Sequence, residues 1–292
     1  MESNLKNYGL IPKALPKRHP TTHQVFGSIA VADLPATLDL PDIVGPTDQG
    51  ATSFCTCYAA RQLCSDQDGI VYDENWGVAM TSEIVGAPIV GGAPALDAMN
   101  AMIQKGPLAL SDCPPGMTWQ EKGPAFIADW RNWPQDLALK AAPHEKATVL
   151  SVDGPYDAFD NIRAFMAAHK RHTALATKWY YQFNTPHADG TIDPVPDYAT
   201  PVFTWHMYEA MYPDVVNGVE VIWVKPHEGA GYGKGGYAAF DRATINRLVA
   251  EPMACSLAFG DVPTSIVQRL AVQHLSLEQI FEEIASRIES AL

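Results

Sequence analysis

One cysteine, Cys55, stands where a turn-rich stretch gives way to a helix-like one: PTDQGATSFCTCYAARQLC passes Gly50 and then runs without Gly or Pro to Cys64. Unpaired N–H groups and the helix dipole at such a start stabilise an anion, so a thiol there is biased towards thiolate, its nucleophilic form. Attack on a carbonyl also needs a base and a donor for the oxyanion that develops. The carboxamide of Gln49, six positions ahead of Cys55, is a donor of the right kind. Cys57 and Cys64 share one face of the same helix with Ala60, as core thiols do.

Other chemistries fit less well. Cys55, Cys57 and Cys64 lack the paired spacing and second ligand cluster of structural zinc, so neither a metal nor a cofactor is expected. The run GAGYGKGG lacks the Lys-Ser/Thr ending of a phosphate-cradling loop, and no helix pattern opens directly after it.

Several elements must position these residues. Residues 1–33 are Pro-rich and locally basic, which predicts an extended arm, solvated or laid over a surface. A helix is predicted from about Cys55, and GGAPALDAMNAMIQKGP reads as a Gly-Gly turn followed by a helix over Ala95 to Lys105. Ser111 to Val152 shows no period and predicts irregular structure with short elements. YDAFDNIRAFMAAHKRH puts Phe159, Ile162, Phe165 and Met166 on one helical side. TALATKWYYQF, VFTWHMYEAMYP and GVEVIWVKP carry the β-branched and aromatic content of strands. A helix-rich first half and a strand-rich second half predict an α+β fold with two lobes. Near the end, SLEQIFEEIASRIESAL has Ser276 and Gln279 at capping-box spacing and an apolar face, which predicts a helix docked on its own domain or on a partner.

Composition narrows the function classes. The 292 residues suffice for one elaborated domain, and 47% hydrophobic with 18% charged residues excludes wholesale disorder. A formal net charge of −13 repels a phosphate backbone, so no nucleic-acid partner is expected. Five scattered cysteines read as reduced thiols, not as a disulfide framework. The start lacks an apolar core of signal-peptide length and no run is long enough to span a membrane, so synthesis in the cytoplasm is expected.

LPATLDL, followed by VGPTDQGATSFCTCYAA, resembles the start of papain-like cysteine peptidases, especially divergent microbial and viral members reading LP-x-x-x-DL and then DQG-x-x-GSC-x-A. Three further stretches extend the resemblance. GGAPALDAM is similar to the family's Gly-Gly-x-Pro turn, whose glycines line the substrate cleft and match Gly91 and Gly92 here. His206 opens a strand-like run roughly 150 residues after Cys55, the separation the family shows. KPHEGAGYGKGGY resembles KNSWGxxWGxxGY without a gap, with Gly229, Gly233, Gly236 and Tyr237 in register.

The resemblance covers about residues 34–250 and implies a helical lobe bearing Cys55, a β-barrel-like lobe bearing His206, and a cleft between them. It leaves 1–33 as an arm and 251–292 as a C-terminal helical extension. It also implies a protein or peptide substrate: a Cys55–His206 pair performs acyl transfer, and Gln49 with the Cys55 backbone N–H holds the oxyanion.

Three positions depart from the pattern. Pro226 replaces the Asn that orients the histidine, Glu228 replaces a shielding Trp, and Ser53-Phe54 replaces the small pair before the nucleophile. Proline has no side-chain acceptor, so Glu228 is considered as a substitute orienter, and Phe54 is expected to crowd substrate. The competing reading is a catalytically impaired papain-fold protein, for example a component of a phage particle or other assembly, holding partners through its arm and C-terminal helix.

Overall fold

The computed structural model describes residues 10–15, 21–22, 30–195 and 201–260. Five helices of nine residues or more organise it: α1 (Cys55–Asp68), α2 (Glu74–Val85), α3 (Ala95–Gln104), α4 (Ala158–His169) and α5 (Arg242–Ala250). Six strands, β1 (Thr148–Ser151), β2 (Thr173–Tyr180), β3 (Pro201–Val216), β4 (Val219–Lys225), β5 (Ala238–Asp241) and β6 (Cys255–Gly260), form one sheet in the order β1-β6-β2-β3-β4-β5. Every neighbouring pair is antiparallel. The stretch 111–152 holds only short helical turns before β1.

Two cores lie on opposite faces of the sheet, because side chains alternate along a strand. On one face Ala174, Ala176, Trp205, Met207 and Leu257 pack with α1, α2 and α3 around Cys57, Tyr58, Trp76 and Met99. On the other, Leu175, Trp179, Tyr208, Ile222 and Phe240 pack with Phe159, Ile162, Phe165 and Met166 of α4 and with Ile245 and Leu248 of α5. This is the expected α+β layout, with a helical lobe and a sheet lobe.

One boundary differs from the sequence reading. Strand β6 sits between β1 and β2, so the sheet domain does not end at 250 and the region beyond it does not begin as a helical extension. The helix predicted in SLEQIFEEIASRIESAL lies outside the described residues. Within the arm, Leu10 is buried and bridges Ala93, the Ile11 N–H donates to the Ala93 carbonyl at 3.0 Å, and Thr21 bridges Ser151. Leu10 and Thr22 are thus buried against the domain, while Ile11, Lys13 and Ala14 stay exposed.

No helix among the described residues is long and apolar enough to cross a membrane.

Candidate active site

Cys55 is the first residue of α1, which packs against β3. Asp73, Asp157 and Asp241 accept hydrogen bonds from the first turns of α2, α4 and α5, whereas no side-chain oxygen caps α1, and its first turn holds no acid. The positive end of α1 is therefore not offset by a capping carboxylate, and Cys55 occupies it. Phe54 is wholly buried in the helical-lobe core, and its carbonyl accepts the first bonds of the helix, from the Cys57 and Tyr58 N–H groups at 3.0 Å each. Burial pushes the Cys57 thiol up to about 11, so that neighbour is held neutral and unreactive.

His206 lies on β3, and its Nε2 is 2.8 Å from the Pro226 carbonyl oxygen. A carbonyl only accepts, so Nε2 carries the proton and the ring's tautomer is set. Proline has no side-chain acceptor, and here its backbone carbonyl accepts in the place where the resemblance implies an Asn side chain. Nor is the imidazole left unshielded. Trp179, reaching from β2, meets His206 edge-on at 4.7 Å between ring centroids, and Tyr208 stacks on it at 5.8 Å.

Gln49 is wholly buried, with Nε2 3.4 Å from the Thr52 carbonyl. Its backbone N–H donates to the His227 carbonyl at 3.0 Å, and Asp48 bridges Glu228. One short ladder thus joins the segment before α1 to the turn after β4, and that turn holds His206. Glycine is required on both sides. Gly50 has φ +59 with Trp119 packed where a Cβ would stand, and Gly236 has φ +102 with the Pro46 ring in the same relation.

Below the ladder a buried charge network ties the lobes. Asp42 accepts from Lys225 Nζ at 2.8 Å, from Gln62 of α1 at 3.2 Å and from the Tyr237 hydroxyl. Burial alone would raise the Asp42 carboxyl, but the Lys225 charge and the hydrogen bonds from Lys225, Tyr237 and the Gly45 N–H outweigh it and hold it below the usual range. Gly91 is exposed with open space where a side chain would stand, and Gly92 has φ +103 in the turn that leads to Ala93.

His206 and Gln49 are thus tied to successive carbonyls of one turn, Cys55 opens a helix that packs against β3, and Gly91 and Gly92 lie in the turn beside the arm. Sequence reasoning missed Trp179, His227, Glu209, Lys225 and Asp42. Lys225 and His227 both lay inside the KPHEGAGYGKGGY match, as its first and third residues, but nothing local marked either as part of the site. Among the described residues no group of three or more His, Cys, Asp or Glu side chains could hold a metal ion.

Solved structures share this fold over most of the chain. Xylellain, a cysteine protease from Xylella fastidiosa, superposes with a TM-score of 0.69 over 88% of this chain and 97% of its own, at 16% identity. The chain has the papain-like fold. A digestive procathepsin L2 proteinase from the larval midgut of Tenebrio molitor is similar at TM-score 0.64 and 19% identity, covering 87% of this chain and 78% of its own. Procathepsin B S9 from Trypanosoma congolense is similar at TM-score 0.59 and 12% identity, over 87% of each chain. No protein-family model and no curated protein sequence matches the chain.

Proposed function

We propose that this papain-fold protein is a cysteine peptidase or related amide-bond hydrolase acting on a protein or peptide. The observation that carries the reading is the 2.8 Å contact from His206 Nε2 to the Pro226 carbonyl, which supplies the function of the missing Asn without its side chain. With Nε2–H held there, Nδ1 is the nitrogen assigned to the Cys55 proton. The thiol passes its proton to His206, and the thiolate attacks the scissile carbonyl. The tetrahedral oxyanion is held by the Cys55 backbone N–H and the Gln49 carboxamide. As the C–N bond breaks, His206 returns the proton to the leaving amine, and water then hydrolyses the thioester. Gly91 and Gly92 let substrate backbone approach the cleft edge closely.

A second reading has its own support. Cys55, His206 and Gln49 are each wholly enclosed, and the arm at Leu10 and Ile11 lies along Ala93. A papain-fold assembly or interaction protein without activity accounts for a permanently closed site; a peptidase must open it. Hydrolysis of a quenched-fluorescence peptide library separates the two. The peptidase reading expects turnover that rises when residues 1–29 are removed and vanishes in Cys55→Ala. Absence of turnover in both the full and the shortened chain would favour the assembly reading.

A further inference from the structure

The turn after β4 is held by a residue with no place in the chemistry above. His227 is wholly buried and adopts φ +62, a left-handed conformation uncommon outside glycine that Asn, Asp and His enter more readily than other side chains and that costs energy unless the surroundings hold it. Three contacts do so. Its Nδ1 lies 2.9 Å from the Thr47 hydroxyl, its ring meets Tyr58 of α1 edge-on at 5.6 Å, and its Nε2 lies 3.3 Å from Oε1 of Glu209, a fully buried carboxyl on β3. Burial, reinforced by the charges of Lys225 and Arg61, drives the imidazole well below the ordinary histidine range and keeps it neutral. Burial likewise lifts Glu209 well above the usual carboxylate range, though Lys225 opposes this. The ring is thus a neutral wedge clamped between the two lobes.

The backbone around this ring faces both halves of the site. The carbonyl before it, that of Pro226, meets His206 Nε2, and its own carbonyl accepts the Gln49 N–H. Two successive carbonyls of one turn therefore orient the imidazole and the segment that carries the oxyanion donor. We propose that His227 is a positioning residue: its anchored ring fixes the turn that holds His206 and Gln49 in register with each other. The consequence for rate rests on the peptidase reading, but the consequence for the His206 hydrogen bond does not.

The test uses the full chain, labelled with 15N, in wild-type, His227→Gly, His227→Asn and Thr47→Val forms. Two quantities are read: the hydrogen-bonded Nε2–H resonance of His206, and the rate at which an epoxysuccinyl amide alkylates Cys55. Glycine permits the backbone angle but removes the anchor, so His227→Gly is expected to lose the protected Nε2–H signal and to label at least tenfold more slowly, with the fold kept by circular dichroism. Asparagine tolerates the left-handed region and keeps a polar side chain, so His227→Asn is expected to recover much of both readouts, and Thr47→Val to shift them in the direction of glycine but less. A His227→Gly protein that retains the Nε2–H signal and the wild-type labelling rate would overturn the proposal. Wild-type Cys55 that labels no faster than free cysteine, beside an Nε2–H signal that His227→Gly abolishes, would overturn the peptidase reading and leave the positioning intact.

Discussion

The two sides of the site are built differently. At the start of α1 the chemistry is carried by side-chain types, a thiol and a carboxamide, and the backbone offers a helix end without a side-chain cap. In the turn from Pro226 to Glu228 the reverse holds: the side chains depart from the family's pattern, and two carbonyls make the contacts to His206 and Gln49. An orienting hydrogen bond can therefore persist while the sequence pattern erodes, provided that the lost group was an acceptor which a peptide oxygen can replace.

This contrast can be broken by substitution on either side. The largest effect is expected at the side-chain end: Cys55→Ala should abolish alkylation by the epoxysuccinyl amide, followed by mass spectrometry, whereas Cys57→Ala two residues on should leave the rate within about threefold, since its thiol is already neutral at working pH. Next comes the network beneath the ladder. Asp42→Asn removes the partner of a wholly buried ammonium and should cost about 3 kcal/mol in urea unfolding at pH 7. Because the Asp42 carboxyl is depressed in the folded protein, its contribution is present at neutral pH and lost as pH falls below about 4, where the variant and wild type should converge.

Glu209 has the opposite sign. Its folded carboxyl holds a proton that the unfolded chain releases above about pH 4.5, so wild-type stability falls as pH rises from there. Glu209→Gln should therefore raise Tm by several degrees at pH 8 and by less at pH 5. The smallest effect is expected at the backbone end. Pro226→Ala keeps the carbonyl, and labelling should change by less than about threefold; a hundredfold loss would show that proline's fixed φ, and not its oxygen alone, sets the site.

Legibility followed the same division. The helix at Cys55, the amphipathic helix α4 and the strands β2, β3 and β4 stood out in the sequence because each presents a stripe or an aromatic, β-branched run. Helix α2 did not, since Asn75 to Ser82 are buried without interruption and such a helix has no polar face to set a period. Strand β6 was hidden for the same reason, with all six residues buried and no alternation, and so passed for part of a terminal extension. Gln49, Cys55 and His206 were readable as residue types in order. The Pro226 acceptor was not, because a carbonyl belongs to every residue and only a fold decides which one faces a ring. Trp179 shields His206 from another strand, a pairing that no local motif encodes.

The most direct test of the Cys55–His206 pair is the pH dependence of Cys55 alkylation by the epoxysuccinyl amide, in wild type and in His206→Ala. A paired thiolate and imidazolium should give a rate that is already high and nearly flat from pH 5 to 7, and His206→Ala should lose at least a hundredfold of it there. A rate that simply climbs with the titration of an ordinary thiol near pH 8.5, unchanged by His206→Ala, would contradict the account.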